Sequence, residues 1–336
     1  MKKIATLSFI TATLIMADNG NLSQPLDTLT SIENNSSEMF EPSMLMQTRY
    51  TYDKREGEPS QNDVGVRRIE LGLRANVNEW VSGNFLYIFE DIGKDGEINL
   101  LEEAYIRIGN SEETPFYLQA GKMLLPFGKF DFYTAREPYT IDFAETIKNA
   151  VLVGYEQNGL NLNAYAFMDK DDLGSNELDY FGATLAYERS ISEVALSSQL
   201  SYISDIRKAG GFSDALSGLG VSGEKTAAYG VALTANMGQL GVIGEYITAG
   251  DDIAGPNTQA SILNLEAAYE FPFATTALSY IKTDEAEFAG LPENVTSFTL
   301  SREIYQYTTL ALEYALIEGY DGIKQDSAVL QVAFSF

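Results

Sequence analysis

The segment with the most concentrated ligand chemistry is DIGKDGEINLLE, residues 91–102. Asp91, Asp95, Gly96 and Glu102 fall where a calcium-binding EF-hand loop has its ligands, its turn glycine and its closing bidentate glutamate. Gly93 stands where another ligand is expected, and an EF-hand loop requires a helix on each side. The flanking segments therefore decide whether this is a calcium site.

Both flanks have the pattern of strands. NFLYIFE before the segment and EAYIRIG after it alternate with a period of two residues, as strands do. We therefore interpret the segment as a hairpin with KDG at its tip, because Asp-Gly supplies the positive φ of a tight turn. Weak divalent binding stays open as an alternative. The other acidic residues at predicted loop tips are Asp169, Asp171, Asp172, Asp251 and Asp252.

The composition excludes several classes of function. The chain has no His, which is the commonest general base and metal ligand, and no Cys, so it has no disulfide bonds. Its 48 Asp and Glu against 22 Lys and Arg give a net charge of −26, which disfavours nucleic acid as a partner. We predict that the chain is not an enzyme and that it uses no cofactor and no bound metal.

The first residues predict export. Lys2 and Lys3 precede a weakly polar to apolar run from Ile4 to Met16, too short to cross a bilayer. We predict a signal peptide at residues 1–17, cleaved on the way to the Gram-negative outer membrane, a short polar periplasmic segment at 18–43, and an outer-membrane β-barrel at 44–336.

Period-two alternation recurs along the chain from about residue 44. In ILNLEAAYEF, for example, Leu263 and Leu265 lie on an apolar face opposite Asn264 and Glu266. We expect an all-β fold, a transmembrane antiparallel barrel of about sixteen strands of about ten residues each. The predicted strands are 44–54, 63–77, 80–92, 97–110, 114–123, 146–156, 158–169, 176–189, 193–206, 225–237, 239–250, 259–271, 273–284, 294–303, 306–317 and 325–336.

The connections between these strands support a membrane barrel. Short turns such as NE, EQNG and PF alternate with longer loops rich in Asp, Glu and Gly. Outer-membrane barrels have short periplasmic turns and long external loops, whereas a soluble sandwich needs no such alternation. The last strand also ends the chain on Phe336, an aromatic terminus that resembles those of bacterial outer-membrane proteins.

The third external loop, LLPFGKFDFYTAREPYTIDFAET, is long and aromatic. We expect it to fold into the lumen and narrow the channel, with an external flap on the rim as the alternative. Charges at such a constriction set selectivity. The candidate constriction residues are Phe127, Lys129, Asp131, Arg136, Glu137, Asp142 and Glu145.

Strand parity assigns candidate residues to the lumen wall. In VRRIELGLRANV and EAYIRIG the apolar positions must face lipid, since a charge at midplane costs about 2–4 kcal/mol there. The polar positions then face the lumen, where they either guide solutes or simply pair with one another. The candidate wall residues are Arg68, Glu70, Arg74, Glu103, Tyr105 and Arg107.

The central third of the chain resembles a known family. EAYI, AGKMLLPFGKF, TIDFAET and AVLVGYEQNGL are similar to segments of LbtU-type siderophore porins and, more distantly, of the phosphate-selective porins O and P. The resemblance implies passage of iron–siderophore complexes without an energised plug. Residues 18–43 have no heptad pattern, unlike the coiled coil that family members often carry.

These observations predict an outer-membrane porin for passive passage of small hydrophilic solutes, with a siderophore as the cargo that the resemblance implies. The acidic charge predicts cation preference, so a cation-preferring general diffusion porin without a siderophore role is one alternative. A structural or adhesive barrel is another. The expected partners are the solute and outer-membrane lipid, and a homotrimer stays open.

Overall fold

The protein is described here by a computed structural model that covers residues 39–94, 98–169, 178–220 and 224–336. Sixteen antiparallel strands form a closed barrel. The predicted signal peptide and most of the predicted periplasmic segment lie outside the described residues. Of the helices in the described ranges, none is long and apolar enough to cross a bilayer.

The strands follow one another around the barrel in chain order, and β1 pairs with β16 to close it. Each predicted strand segment overlaps one of them, so the predicted all-β barrel is confirmed. The strands are β1 Phe40–Arg55, β2 Gln61–Asn76, β3 Val81–Glu90, β4 Ile98–Ile108, β5 Phe116–Leu124, β6 Ile147–Gln157, β7 Leu160–Phe167, β8 Tyr180–Ile191, β9 Val194–Ile203, β10 Ala228–Met237, β11 Leu240–Ala249, β12 Ser261–Phe271, β13 Ala274–Asp284, β14 Asn294–Tyr305, β15 Thr308–Glu318 and β16 Lys324–Ser335.

Four short helical segments occur in the described loops. Helix α1, Tyr139–Ala144, belongs to the third external loop, between β5 and β6. Helix α2, Gly210–Leu219, belongs to the fifth external loop, between β9 and β10, and follows a 3-10 turn at Ile206–Lys208. A second 3-10 turn at Glu287–Ala289 belongs to the seventh loop, between β13 and β14.

Side chains alternate between an exposed and a buried face along each strand. On β15 the side chains of Leu312 and Leu316 are 53% and 52% exposed, whereas Ala311, Glu313 and Ala315 are nearly fully buried. The exposed face is apolar and the inner face carries the polar groups, as expected of a barrel that meets lipid outside. Large aromatic side chains are exposed near the short-turn end, at Phe40, Trp80, Phe116, Phe273 and Tyr305, where membrane barrels carry an aromatic girdle.

Three register shifts interrupt the strand pairing, one of them between Glu303 and Tyr305 on β14, and the other two lie near the third loop. Gln47 and Thr48 of β1 pair with Arg68 and Val66 of β2, which leaves Arg67 as an extra residue on β2. Leu86 and Tyr87 of β3 pair with Glu103 and Leu101 of β4, which leaves Glu102 as an extra residue on β4. A bulge lets two successive side chains point to the same face. Strand parity alone therefore misses the inward positions of Arg67 and Glu102.

The acidic segment at 91–102 lies between β3 and β4, so its flanks are strands as predicted. The expected hairpin tip at Asp95 and Gly96 lies outside the described residues. Asp91 has a φ of 47° and Lys94 forms ion pairs with Asp63 and with Asp91, the latter at 3.6 Å. Lys94 thus connects the described part of the segment to β2 through its ion pair with Asp63.

Gly121, near the end of β5, allows the sheet to close tightly before the third loop. Its φ is 138°, and a Cβ there would lie 2.3 Å from the carbonyl oxygen of Ala104 on β4. We expect Gly121→Ala to lower the free energy of unfolding by at least about 1 kcal/mol, because the backbone itself would have to shift. The measurement is urea unfolding of the refolded barrel.

Gly218→Ala is the matched control for that substitution. Gly218 lies in α2, and nothing lies within 4 Å of the position a Cβ would take. Alanine there should leave stability unchanged or raise it slightly, because glycine is a poor helix former. Equal effects of the two substitutions would contradict the close approach at Gly121.

Candidate functional site

The third external loop folds into the lumen and follows the inner wall. From β5 it passes β8, where Thr184 donates a hydrogen bond to the carbonyl of Pro126, and β9, where Gln199 Nε2 donates to the carbonyl of Gly128 at 2.7 Å. It ends its circuit near β1, where Arg49 Nη2 donates to the carbonyl of Ala135 at 2.9 Å. Such long-range contacts are those of a loop inside the barrel, as predicted.

The turn PFGKF directs the chain along the wall. Gly128 has a φ of 88° and Phe130 a φ of 59°, a left-handed conformation that is costly for a phenylalanine. A Cβ on Gly128 would lie 2.4 Å from the ring of Phe130. Phe127 and Phe130 are fully buried in the core inside the barrel. The aromatic side chains therefore anchor the loop, and packing offsets the strain at Phe130.

Three glutamates on the inner wall bind backbone N–H groups of the loop. Glu245 on β11 accepts from Lys129 and Phe130, Glu266 on β12 from Tyr133, and Glu313 on β15 from Ala135 and Arg136. The donor–acceptor distances run from 2.5 to 3.2 Å. These charge-assisted hydrogen bonds hold the loop to the wall on the side opposite its attachment.

A hydrophobic core occupies the lumen on the external side of this loop. Phe143 of α1 packs edge-on against Phe212 of α2 with ring centroids 4.7 Å apart, and Phe212 stacks on Phe288 of the seventh loop at 5.6 Å. The Gly210 N–H also donates to the carbonyl of Glu145 at 2.9 Å. The fifth loop therefore packs on the third, so two external loops narrow the lumen.

The charged part of the site is centred on Arg68. Its guanidinium lies 2.5 Å from carboxylate oxygens of Glu70 and of Glu90, 3.5 Å from Glu102 and 3.6 Å from Glu137 of the loop. Four carboxylates thus surround the one guanidinium of Arg68.

Other arginines face the loop from neighbouring positions. Arg67 lies 3.7 Å from Glu90 and 3.4 Å from Asp91. Arg49 donates to Gln331 Oε1 at 2.7 Å, and Arg136 of the loop hydrogen-bonds Ser327 and lies 3.6 Å from Glu313. Side chains of both signs therefore lie beside the loop along β16, β1 and β2.

The predicted constriction residues divide into anchors and accessible charges. Phe127 is buried, Lys129 pairs with Asp131, and Glu145 lines a small cavity with Glu102 and Glu103. Asp142 on α1 is exposed and Glu137 has a side chain 30% exposed. Of this predicted set, Glu137 and Asp142 are the more accessible acidic groups, and their role at a constriction stays a prediction.

The predicted wall residues lie at two levels. Arg68 and Glu70 belong to the Arg68 cluster, and Glu103 accepts from Asn84 Nδ2 at 2.6 Å beside it. Further toward the short-turn end, Arg107 lies 3.1 Å from Glu156 and 3.7 Å from the centroid of the Tyr117 ring.

Two other wall residues stand apart from that cluster. Tyr105 packs against the inner core, whereas Arg74 is exposed at the end of β2. The structure brings together Arg68, Glu70, Glu103, Glu137 and Glu145, and separates Arg74 and Arg107 from them.

The acidic loop tips that could bind a divalent ion are engaged otherwise where they are described. Asp169 pairs with Lys148 at 2.9 Å and with Lys208. Burial alone would raise the pKa of Asp169, but the hydrogen bonds from the two lysines lower it below its ordinary value. Asp252 accepts from the Thr258 N–H at 2.9 Å. Asp171 and Asp172 lie outside the described residues, and within these no group of three or more acidic residues is arranged to hold a metal.

Sequence reasoning missed several residues of the site. Arg67 and Glu102 are hidden by the bulges, and Arg49 lies on the polar face of β1 with Gln47 and Thr51, a pattern that could have identified it. A signal existed for α2, since Phe212 and Leu216 have the i, i+4 spacing of an apolar helix face. The other missed residues are Glu90, Glu245, Glu266 and Glu313.

Comparison with known proteins supports the porin architecture. Residues 44–190 match the family described as phosphate-selective porin O and P. The chain is 27% identical over 268 residues to a UPF0422 protein of Coxiella burnetii, which covers 73% of this chain and 57% of that protein. A UPF0422 protein of Legionella pneumophila strain Lens is 27% identical over 107 residues, 30% of this chain and 20% of that protein. The match thus spans little more than half the length of the Coxiella burnetii protein and about a fifth of the length of the Legionella pneumophila protein.

Solved structures with the same fold are porins and outer-membrane channels. OprB of Pseudomonas putida superposes with a TM-score of 0.63 at 9% identity and covers 89% of this chain and 94% of its own. The anion-selective porin of Comamonas acidovorans gives 0.59 at 14% identity, with 88% and 99% covered. The outer-membrane channel DcaP of Acinetobacter baumannii gives 0.56 at 14%, with 90% and 99% covered.

The fold and its inserted loop are those of porin-type outer-membrane β-barrels. Within that class, the first part of this barrel, from β1 to β8, is similar to the phosphate-selective porins O and P.

Proposed function

We propose that the protein is a porin that allows passive passage of small hydrophilic solutes across the outer membrane. The observation that carries this proposal is the third loop inside a closed sixteen-stranded barrel, with Glu137, Asp142, Arg67 and Arg136 at its accessible edge. A barrel of this strand number leaves an aqueous channel unless loops fill it. Planar-bilayer recording of the refolded protein tests the proposal directly.

We further propose that the channel prefers cations. The chain carries a net charge of −26, and four acidic residues surround Arg68 at the loop. Polycarboxylate siderophores are anionic and would be repelled by a lumen of that sign. A siderophore cargo, which the family resemblance implies, fits this chain only if the arginines control the passage.

The reversal potential in a KCl gradient is expected to show K⁺ preferred over Cl⁻ by about two- to tenfold at neutral pH and low salt, where charges are least screened. Glu137→Gln should reduce that preference, since Glu137 is an acidic group of the loop with an accessible side chain. Clear anion selectivity would instead mean that Arg49, Arg67 and Arg136 dominate, and would favour an anionic cargo.

A structural barrel without conductance is the second candidate, and one observation favours it. The rings of Phe143, Phe212 and Phe288 pack in an unbroken row across three loops, so the external side of the lumen is well filled. A folded protein that inserts into bilayers and gives no current steps would support this candidate.

The partners that we propose are outer-membrane lipid on the apolar outer face and further copies of the chain in a homotrimer. The solved structures of the same fold include a trimer form of OmpT from Vibrio cholerae, with a TM-score of 0.51 at 11% identity, covering 89% of this chain and all of its own. Cross-linking of the protein in native membranes tests the assembly.

A further inference from the structure

Glu245, Glu266 and Glu313 lie on the inward faces of β11, β12 and β15, and each is at most 4% exposed. A buried carboxylate is costly unless hydrogen bonds or a counter-charge compensate it. Among the described residues, Glu313 alone of the three forms an ion pair, with Arg136 at 3.6 Å. The main partners of these carboxylates are therefore the backbone N–H groups of the third loop.

The loop needs these acceptors as much as the glutamates need donors. Residues 129–136 form neither helix nor strand, so their N–H groups have no regular secondary-structure partners. Glu245 receives the Lys129 N–H on one oxygen and the Phe130 N–H on the other, at 2.5 and 3.2 Å. Glu266 receives the Tyr133 N–H at 2.6 Å.

Glu313 is the third wall glutamate that binds the loop backbone. One oxygen of Glu313 accepts from the Ala135 N–H at 2.7 Å, the Arg136 N–H at 3.2 Å and the Thr299 hydroxyl at 3.0 Å. Three wall carboxylates thus bind five main-chain donors within eight residues, and they take the place of a sheet partner for this segment.

We propose that Glu245, Glu266 and Glu313 act as a latch: they are the positioning residues that fix the third loop across the lumen and so determine the open area of the channel. The statement about open area rests on the proposed porin function. The latch acts mainly through main-chain groups, and Arg136 is the one loop side chain that it also contacts through a charge.

Glu266 offers a conservative substitution that separates hydrogen-bond acceptance from charge. Its second oxygen accepts from Asn264 Nδ2 at 3.3 Å, and Asn264 Oδ1 is buried without a hydrogen-bond partner. Glutamine at 266 can accept from the Tyr133 N–H with its oxygen, and its amide can donate to Asn264 Oδ1 once the Asn264 side-chain amide turns over. E266Q should therefore keep the loop in place, whereas E266A removes the acceptor.

The absence of Cys from the chain allows a loop probe that does not depend on channel activity. Thr134 lies between two latched residues and is 4% exposed, so T134C should react slowly with a membrane-impermeant maleimide. In the T134C background, E266A/E313A should react at least about tenfold faster, because charge-assisted hydrogen bonds are lost. E266Q should react as slowly as the parent.

E270A is the matched control, since Glu270 lies on the same strand near its periplasmic end. It should leave the labelling rate unchanged. Heat-modifiable gel mobility shows which variants fold. If the double variant does not fold, the labelling rates of E266A and E266Q are compared instead, and E266A should react faster. Slow labelling in the folded alanine variants, or equally fast labelling in E266Q, overturns the latch.

Conductance separates this inference from the proposed function. If the parent conducts, the alanine variants should show a larger and noisier single-channel current and E266Q the parent current. Fast labelling with an unchanged current would retain the latch and overturn its control of the open area. If the parent forms no channel, the porin proposal fails, while the labelling rates still test the latch.

Discussion

Deleting Lys129 to Tyr139 raises single-channel conductance by at least about twofold and admits larger sugars, because a sixteen-stranded barrel without its inserted loop is an open pore. The deleted residues include the segment that Glu245, Glu266 and Glu313 hold against the wall. Planar-bilayer recording and liposome swelling with sugars of increasing size measure the effect.

The barrel should still close after this deletion. Leu124 of β5 pairs directly with Ile147 of β6, so residues 125–128 and 140–146 suffice to connect the two strands, and the energy of loop closure changes slowly with length. Deleting the exposed Glu58 and Pro59 from the β1–β2 connection is the control and should not alter conductance. An unchanged current in the folded long deletion would assign the constriction to α2 and the fifth loop.

The strands could be predicted because their information is local. Alternation with a period of two is visible in ten residues, and it locates β12 and β16 within one or two residues of their observed bounds. The third loop could be predicted for a similar reason, since its length and aromatic content distinguish it from the other loops. The candidate constriction charges at Glu137 and Asp142 follow from that one inference, and their role at a constriction stays a prediction.

The contacts that hold the loop could not be predicted, because they join residues far apart in sequence. Glu313 and Ala135 are 178 positions apart, and no local pattern indicates that one accepts from the other. The bulges at Arg67 and Glu102 are hidden for another reason. An extra residue can be recognised only from the pairing with the neighbouring strand, which one segment of sequence does not show. Strand parity therefore predicts Arg68 and Glu103 as wall residues, but it does not predict their neighbours Arg67 and Glu102.

Arg68→Ala is expected to lower the free energy of unfolding by about 3–5 kcal/mol, because removing one partner of a buried ion pair leaves an uncompensated charge. Arg68 contacts Glu70, Glu90, Glu102 and Glu137, and Glu70 and Glu102 are 8% and 6% exposed. Urea unfolding followed by the fluorescence of Trp80, the single tryptophan, measures the loss.

Two further variants distinguish charge from packing as the cause. Arg74→Ala, an exposed arginine on the same strand, should change stability by less than about 0.5 kcal/mol. Glu70→Gln added to Arg68→Ala removes one of the unpaired charges and should recover part of the loss. If the double variant is as unstable as Arg68→Ala, the guanidinium stabilises the barrel by filling space between β2, β3 and β4, and the four carboxylates tolerate one another without it.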